Sequence, residues 1–158
     1  MSKKGFTLVE LLVVIVIIAI LSSIGFVTYT RFLKDSRDGK RQSDLKTIQA
    51  GLEEYYADQF FYPTAIPTDG TSLKNTTGNN YPVSVTKTYM NSVPTDPQPS
   101  PQPQYRYEKQ PATCDNNPSG SNIKCTGYCL YAEVENTSSA VNISCTDISG
   151  YNYEVTLP

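Results

Sequence analysis

Glu10 stands four residues after Phe6 in an apolar run, FTLVELLVVIVIIAIL, that is otherwise suited to lipid. A carboxylate at the middle of a membrane helix costs about 2.5–3.5 kcal/mol on insertion scales. Its charge therefore needs a partner. The other chemically capable residues are four cysteines, Cys114, Cys125, Cys129 and Cys145. An even number behind an export-type N-terminus predicts two disulfides in an oxidising compartment. A four-cysteine zinc site is the alternative, but only Cys125 and Cys129 have zinc-like spacing. The chain contains no His, so it lacks the commonest general base and metal ligand. No nucleophile–base pair or phosphate loop is present. The sequence predicts no enzyme, no metal and no cofactor.

The elements that would carry these residues follow from composition. In 158 residues there is room for one modest domain beside the apolar N-terminal segment. The formal net charge of −2 argues against nucleic acid as a specific partner. Residues 6–27 would span about 33 Å as a helix, enough to cross a bilayer. Lys3 and Lys4 ahead of it predict a cytoplasmic N-terminus, with the rest of the chain outside.

No proline occurs before Pro63, and helix formers dominate up to Asp58. Leu45, Ile48, Leu52, Tyr55 and Tyr56 recur at spacings of three and four and give one apolar face. One helix of about 80 Å is predicted from about Phe6 to Asp58. Gly25, Gly39 and Gly51 are its weak points. The Arg31, Lys34, Arg37, Lys40 and Arg41 cluster is interleaved with Asp35, Asp38 and Asp44. It reads as a solvated, self-paired face rather than a site for DNA or anionic headgroups.

Beyond Pro63 the chain is turn-rich, with a proline-dense surface loop at 94–104. Predicted strands are Tyr105–Glu108, Tyr128–Glu135, Ala140–Cys145 and Tyr151–Leu157, with Asn136–Ser139 turning the second into the third. Tyr128, Leu130, Ala132 and Val134 alternate with more polar neighbours, as in a half-buried strand. That hairpin favours Cys129–Cys145 and Cys114–Cys125 among the three possible pairings. Asn75, Asn136 and Asn142 match the Asn-x-Ser/Thr pattern, which is frequent by chance in so polar a tail. The twelve tyrosines read mainly as core and sheet residues. The fold class is α+β: a long N-terminal helix, half transmembrane and half amphipathic, packed on a small antiparallel sheet. The expected segments are 1–5, 6–30, 31–60 and 61–158.

KGFTLVELLVVIVIIAIL closely resembles the N-terminal signal of type IV pilins and type II secretion pseudopilins. The resemblance implies a leader of residues 1–5 that prepilin peptidase removes between Gly5 and Phe6, followed by methylation of the new N-terminus. It also implies that Glu10 pairs with the Phe6 amine of a neighbouring subunit and so sets register at the filament base. A self-paired or protonated Glu10 is the alternative. DSRDGKRQSDLKTIQAGLEEYYADQFFYP resembles the helix end of family members, and VPTDPQP with YRY resembles a loop and strand of the major pseudopilin. Many members carry Pro at the position of Val27, where this chain has only the nearby Gly25 to permit a bend. The major pseudopilin's calcium loop has no clear counterpart, since CTDISGYNYE offers only Asp147 and Glu154.

The implied function is that of a homo-oligomeric helical filament subunit, inserted in the cytoplasmic membrane and later extracellular. An assembly ATPase and a membrane platform protein are the implied partners. A surface pilus serving adhesion, motility or DNA uptake is the first expectation, because a stapled, proline-punctuated tail suits a fibre exposed to shear. A secretion pseudopilin is the second, and a monomeric anchored adhesin or receptor the third.

Overall fold

The computed structural model describes residues 5–78, 85–98, 104–120, 122–136, 145 and 150–156, with the side chains of Ile24, Phe26 and Val27 excluded. It is α+β and pilin-like: one helix, α1 (Leu8–Gln59), and five strands. The chain divides into two compact units, Met1–Ser36 and Arg37–Pro158.

In the first unit the stretch Leu11–Leu21 of α1 is apolar on every side. Its large side chains from Leu8 to Leu21 are roughly half to almost fully exposed. A helix with no polar face is stable where lipid or other helices cover it. By length and composition it can cross a membrane.

The second unit is built on the amphipathic end of α1. Leu45, Ile48, Leu52 and Tyr55 are buried there, as their spacing predicts. Tyr56 is instead partly exposed and stacks on Tyr62, with ring centroids 4.7 Å apart. Gly51 does not weaken the helix without return. A Cβ on it would lie 2.6 Å from Met90 Cε, so the glycine admits a neighbouring hairpin. That hairpin pairs β1 (Leu73–Lys74) with β2 (Thr88–Met90) in antiparallel register. Two such short strands in a polar, turn-rich stretch give almost no periodic signal, and the sequence does not predict them.

The main sheet has the order β3-β4-β5, from Arg106–Gln110, Gly127–Ala132 and Tyr153–Thr156, all antiparallel. Tyr107 faces Leu130, and Leu130 faces Val155. β4 was expected to be half-buried, yet all six of its residues are buried. β3 and β5 cover its two edges, and its second face holds Cys129, bridged to Cys145, and Tyr131. Leu130 and Ala132 join the α1 side chains in the core. Tyr131 packs at 6.0 Å from Tyr151. The expected Ala140–Cys145 strand and Asn136–Ser139 turn fall largely outside the described residues, and residues 99–103 of the proline-rich loop fall wholly outside them.

Asn116 ties the loops together. It is fully buried in a left-handed conformation, φ 48°, which Asn tolerates better than most residues. Its amide nitrogen donates to the carbonyl of Tyr62 at 2.6 Å, and its oxygen accepts from Cys125 N–H at 2.9 Å. The structure joins Cys114 to Cys125 and Cys129 to Cys145.

Candidate functional site: the N-terminal motif and the head

Gly5, Phe6 and Thr7 precede the helix. The expected start at Phe6 is displaced by two residues, and Thr7 is the cause. Its hydroxyl oxygen accepts from the Glu10 N–H at 3.3 Å. In return Glu10 Oε2 accepts from the Thr7 N–H at 2.9 Å and the Thr7 hydroxyl at 2.7 Å. This is a reciprocal capping box, with Thr7 as the cap and Glu10 three residues on. The Thr-x-x-Glu spacing is the sequence signal of this box, and it gives Thr7 a role that the lipid cost of Glu10 does not suggest. Glu10 thus has a partner within its own chain. Both bonds converge on Oε2, and Oε1 has no partner among the described residues.

The Gly5–Phe6 bond therefore lies in non-helical backbone. Phe6 is exposed, and nothing stands within 4 Å of where a Gly5 Cβ would be. A protease can reach such a bond, whereas a helix would first have to unwind. Cleavage there would place a cationic amine one residue before the capping box, beside a carboxylate with an oxygen to spare.

The second unit holds a charged cluster of a different kind. Arg41 is fully buried. Its Nε and Nη2 donate to the two oxygens of Asp96 at 2.7 and 3.1 Å. Its Nη1 donates to Asp38 at 2.7 Å and Glu135 at 3.0 Å. Arg37 makes a fork to Glu135, with both contacts at 2.6 Å. Asp38 also accepts from the backbone N–H groups of Glu135 and Asn136. One guanidinium thus joins α1, the loop at Asp96 and the chain after β4.

The expectation of a solvated, self-paired face fails at Arg41 and Asp38. Their local pairing exists, but Asp96 and Glu135 come from 55 and 94 residues away and enclose it. Charge spacing along α1 could not reveal those partners. Hydrogen bonds from Arg37, and then from Arg41, hold the Glu135 carboxyl down at about 2. Burial opposes the charge on Arg41, but its three carboxylates outweigh that and raise its pKa.

Tyrosine hydroxyls bind two further acids, the buried Asp44 and the half-buried Glu53. Tyr105 donates to Asp44 at 2.9 Å, and Asp44 also pairs with Lys40. Tyr62 and Tyr128 both donate to Glu53 at 3.0 Å. Burial, then the adjacent carboxylate, raises the pKa of each of these tyrosines. They are core residues, as read from the sequence, and the structure adds that their hydroxyls are anchored. Asn75 is buried, and its amide donates to the Val85 carbonyl at 2.8 Å, so its nitrogen is engaged. Glu154 accepts from Cys145 N–H. Cys129, Cys145 and Glu154 lie together, but the two sulfurs are bonded to each other and are not thiolate ligands.

The model of the prokaryotic N-terminal methylation motif matches residues 1–26, the stretch that contains Gly5, Phe6, Thr7 and Glu10. The type II secretion system core protein G of Pseudomonas aeruginosa is 32% identical over 97 residues, covering 61% of this chain and 68% of that protein. The chain belongs to this pseudopilin family. Core protein G of Dickeya chrysanthemi is 31% identical over 99 residues, 60% of this chain and 63% of that protein. Core protein G of Klebsiella michiganensis is 41% identical over 64 residues, 40% of this chain and 44% of that protein. No solved structure matches the chain. Membership of the pseudopilin family makes the chain a pilin-like structural protein with a membrane-type N-terminal helix.

Proposed function

We propose that this chain is the subunit of a type II secretion pseudopilus. The similarity to three core G proteins carries this reading, and it displaces the surface pilus that the stapled tail suggested. Prepilin peptidase removes residues 1–5, and the N-terminus of Phe6 is then methylated. Lys3 and Lys4 leave with the leader, which frees the segment from its cytoplasmic anchor. The apolar part of α1 waits in the membrane with the head outside, then joins other copies through that same surface. An assembly ATPase and a membrane platform protein drive the addition of subunits.

Glu10 has two successive tasks in this scheme. The Thr7 cap satisfies it while the subunit is in the membrane, and the Phe6 amine of a neighbouring copy engages it on assembly. The new amine left unpaired in such surroundings is costly, so its pairing with Glu10 fixes register. Glu10→Val should still insert and be cleaved, but co-expressed with the wild type it should incorporate poorly into sedimentable filaments.

Deletion of the gene tests the whole reading. Loss of export of a secreted protein with surface fibres intact supports the pseudopilin. Loss of long surface fibres with export intact returns the pilus.

A further inference from the structure

Phe60 closes α1 in a left-handed conformation, φ 61°, with its N–H bonded to the Tyr56 carbonyl at 2.8 Å. This is the helix-capping position that glycine or asparagine fills without strain. A bulky side chain with positive φ is an outlier that persists only where something compensates. Phe60 is also 71% exposed, and its ring joins no aromatic contact among the described residues. Two independent costs thus fall on one residue, and neither is offset among the described residues. By contrast, the neighbouring Phe61 is buried beneath the Lys124 ammonium.

We infer that Phe60 is an assembly anchor that packs against residues 29–34 of a second copy of this chain. The inference rests on the filament reading above. Three features point to that partner surface. Tyr29 and Phe32 are about two-thirds exposed, and Leu33 is also exposed. Among the described residues they are the densest exposed group of large apolar side chains beyond the lipid-length run, and they continue the surface through which copies bundle. The two stretches also carry opposite charge. Residues 29–34 hold Arg31 and Lys34 and no acid, whereas residues 54–60 hold Glu54 and Asp58 and no base. Lys87 pairs with both acids and neutralises one charge, which leaves a net negative stretch. A contact between different patches on identical chains is heterologous, and such contacts build open helical filaments.

The test reads stability and assembly in opposite directions. Full-length Phe60→Gly in detergent should unfold at a higher temperature, because the strain is gone. Its yield of sedimentable filament should fall about tenfold, as for loss of one aromatic anchor. Phe60→Tyr keeps the ring and should assemble at the wild-type level. A photo-crosslinking phenylalanine at position 60 should, in assembled material, join a peptide containing residues 29–34 of another copy. Unchanged filament yield for Phe60→Gly, or a crosslink elsewhere, overturns the contact while the wild-type filament stands. A wild-type chain that forms no filament overturns the filament reading and the contact with it.

Discussion

Arg41 and Glu135 show how single residues hold the head together. Arg41 is the cation shared by Asp38, Asp96 and Glu135. Arg41→Met would leave these buried carboxylates short of a partner and should destabilise the head by about 3–5 kcal/mol. The further change Asp96→Leu should recover part of that loss, because it removes an acid that no longer has its cation. Urea denaturation of the two variants measures both effects.

Glu135 adds a pH dependence at the same scale. Its carboxyl is held at about 2, from an ordinary value of 4.5. A group with a depressed folded pKa stabilises the fold above its unfolded pKa and loses that contribution as pH falls toward the folded one. Its contribution is therefore complete above pH 4.5 and is withdrawn between 4.5 and 2. Other carboxylates titrate in the same range, so the informative quantity is the difference between wild type and Glu135→Gln. That difference should shrink as urea midpoints are measured from pH 6 down to pH 2.5.

At the scale of elements, the contact between α1 and the β1–β2 hairpin depends on an absent side chain. Gly51→Val would place branched carbons where Met90 Cε now lies, 2.6 Å from an ideal Cβ. Overpacking of this kind costs about 1–3 kcal/mol. Met90→Ala in the same chain should remove most of that penalty, since the obstructing atom is the end of a flexible side chain. Thermal unfolding of the two single variants and the double variant should show a coupling of the opposite sign to the Gly51→Val loss. A hairpin that had already left the helix surface would show no coupling.

For the whole molecule, the two disulfides close separate loops, at sequence separations of 11 and 16. Replacing Cys114 and Cys125 together by Ser should cost about 3 kcal/mol by loop-closure entropy. Cys114 and Cys125 both lie in the core with Leu45, Leu52 and Leu130, but the remaining apolar cluster and the Cys129–Cys145 bridge should keep the head of the oxidised variant folded. Calorimetry would show a lowered but still cooperative transition. Reduction of both bridges should bring a larger fall than either serine pair alone.

Local regularities determined much of this protein in advance. The apolar run, the three- and four-residue spacing of Leu45, Ile48, Leu52 and Tyr55, and the alternation around Tyr128–Ala132 each repeat a period set by backbone geometry. From them came the long helix, its buried face, the central strand and the α+β class. The motif from Gly5 to Glu10 was equally legible, since its residues are contiguous; the capping role of Thr7 was written there too. The tertiary structure decided what depends on distant partners. Asp96 and Glu135 reach Arg41 across 55 and 94 residues, so a charge that looked solvated is buried. Gly51 looked like a flaw until Met90 lay against it. β4 became fully buried because β3 and β5 take its edges while the α1 core and the Cys145 and Tyr151 side chains cover its faces. Strands of two and three residues carry too few side chains for any period to emerge, and the β1–β2 hairpin forms where the surface of α1 gives it a floor.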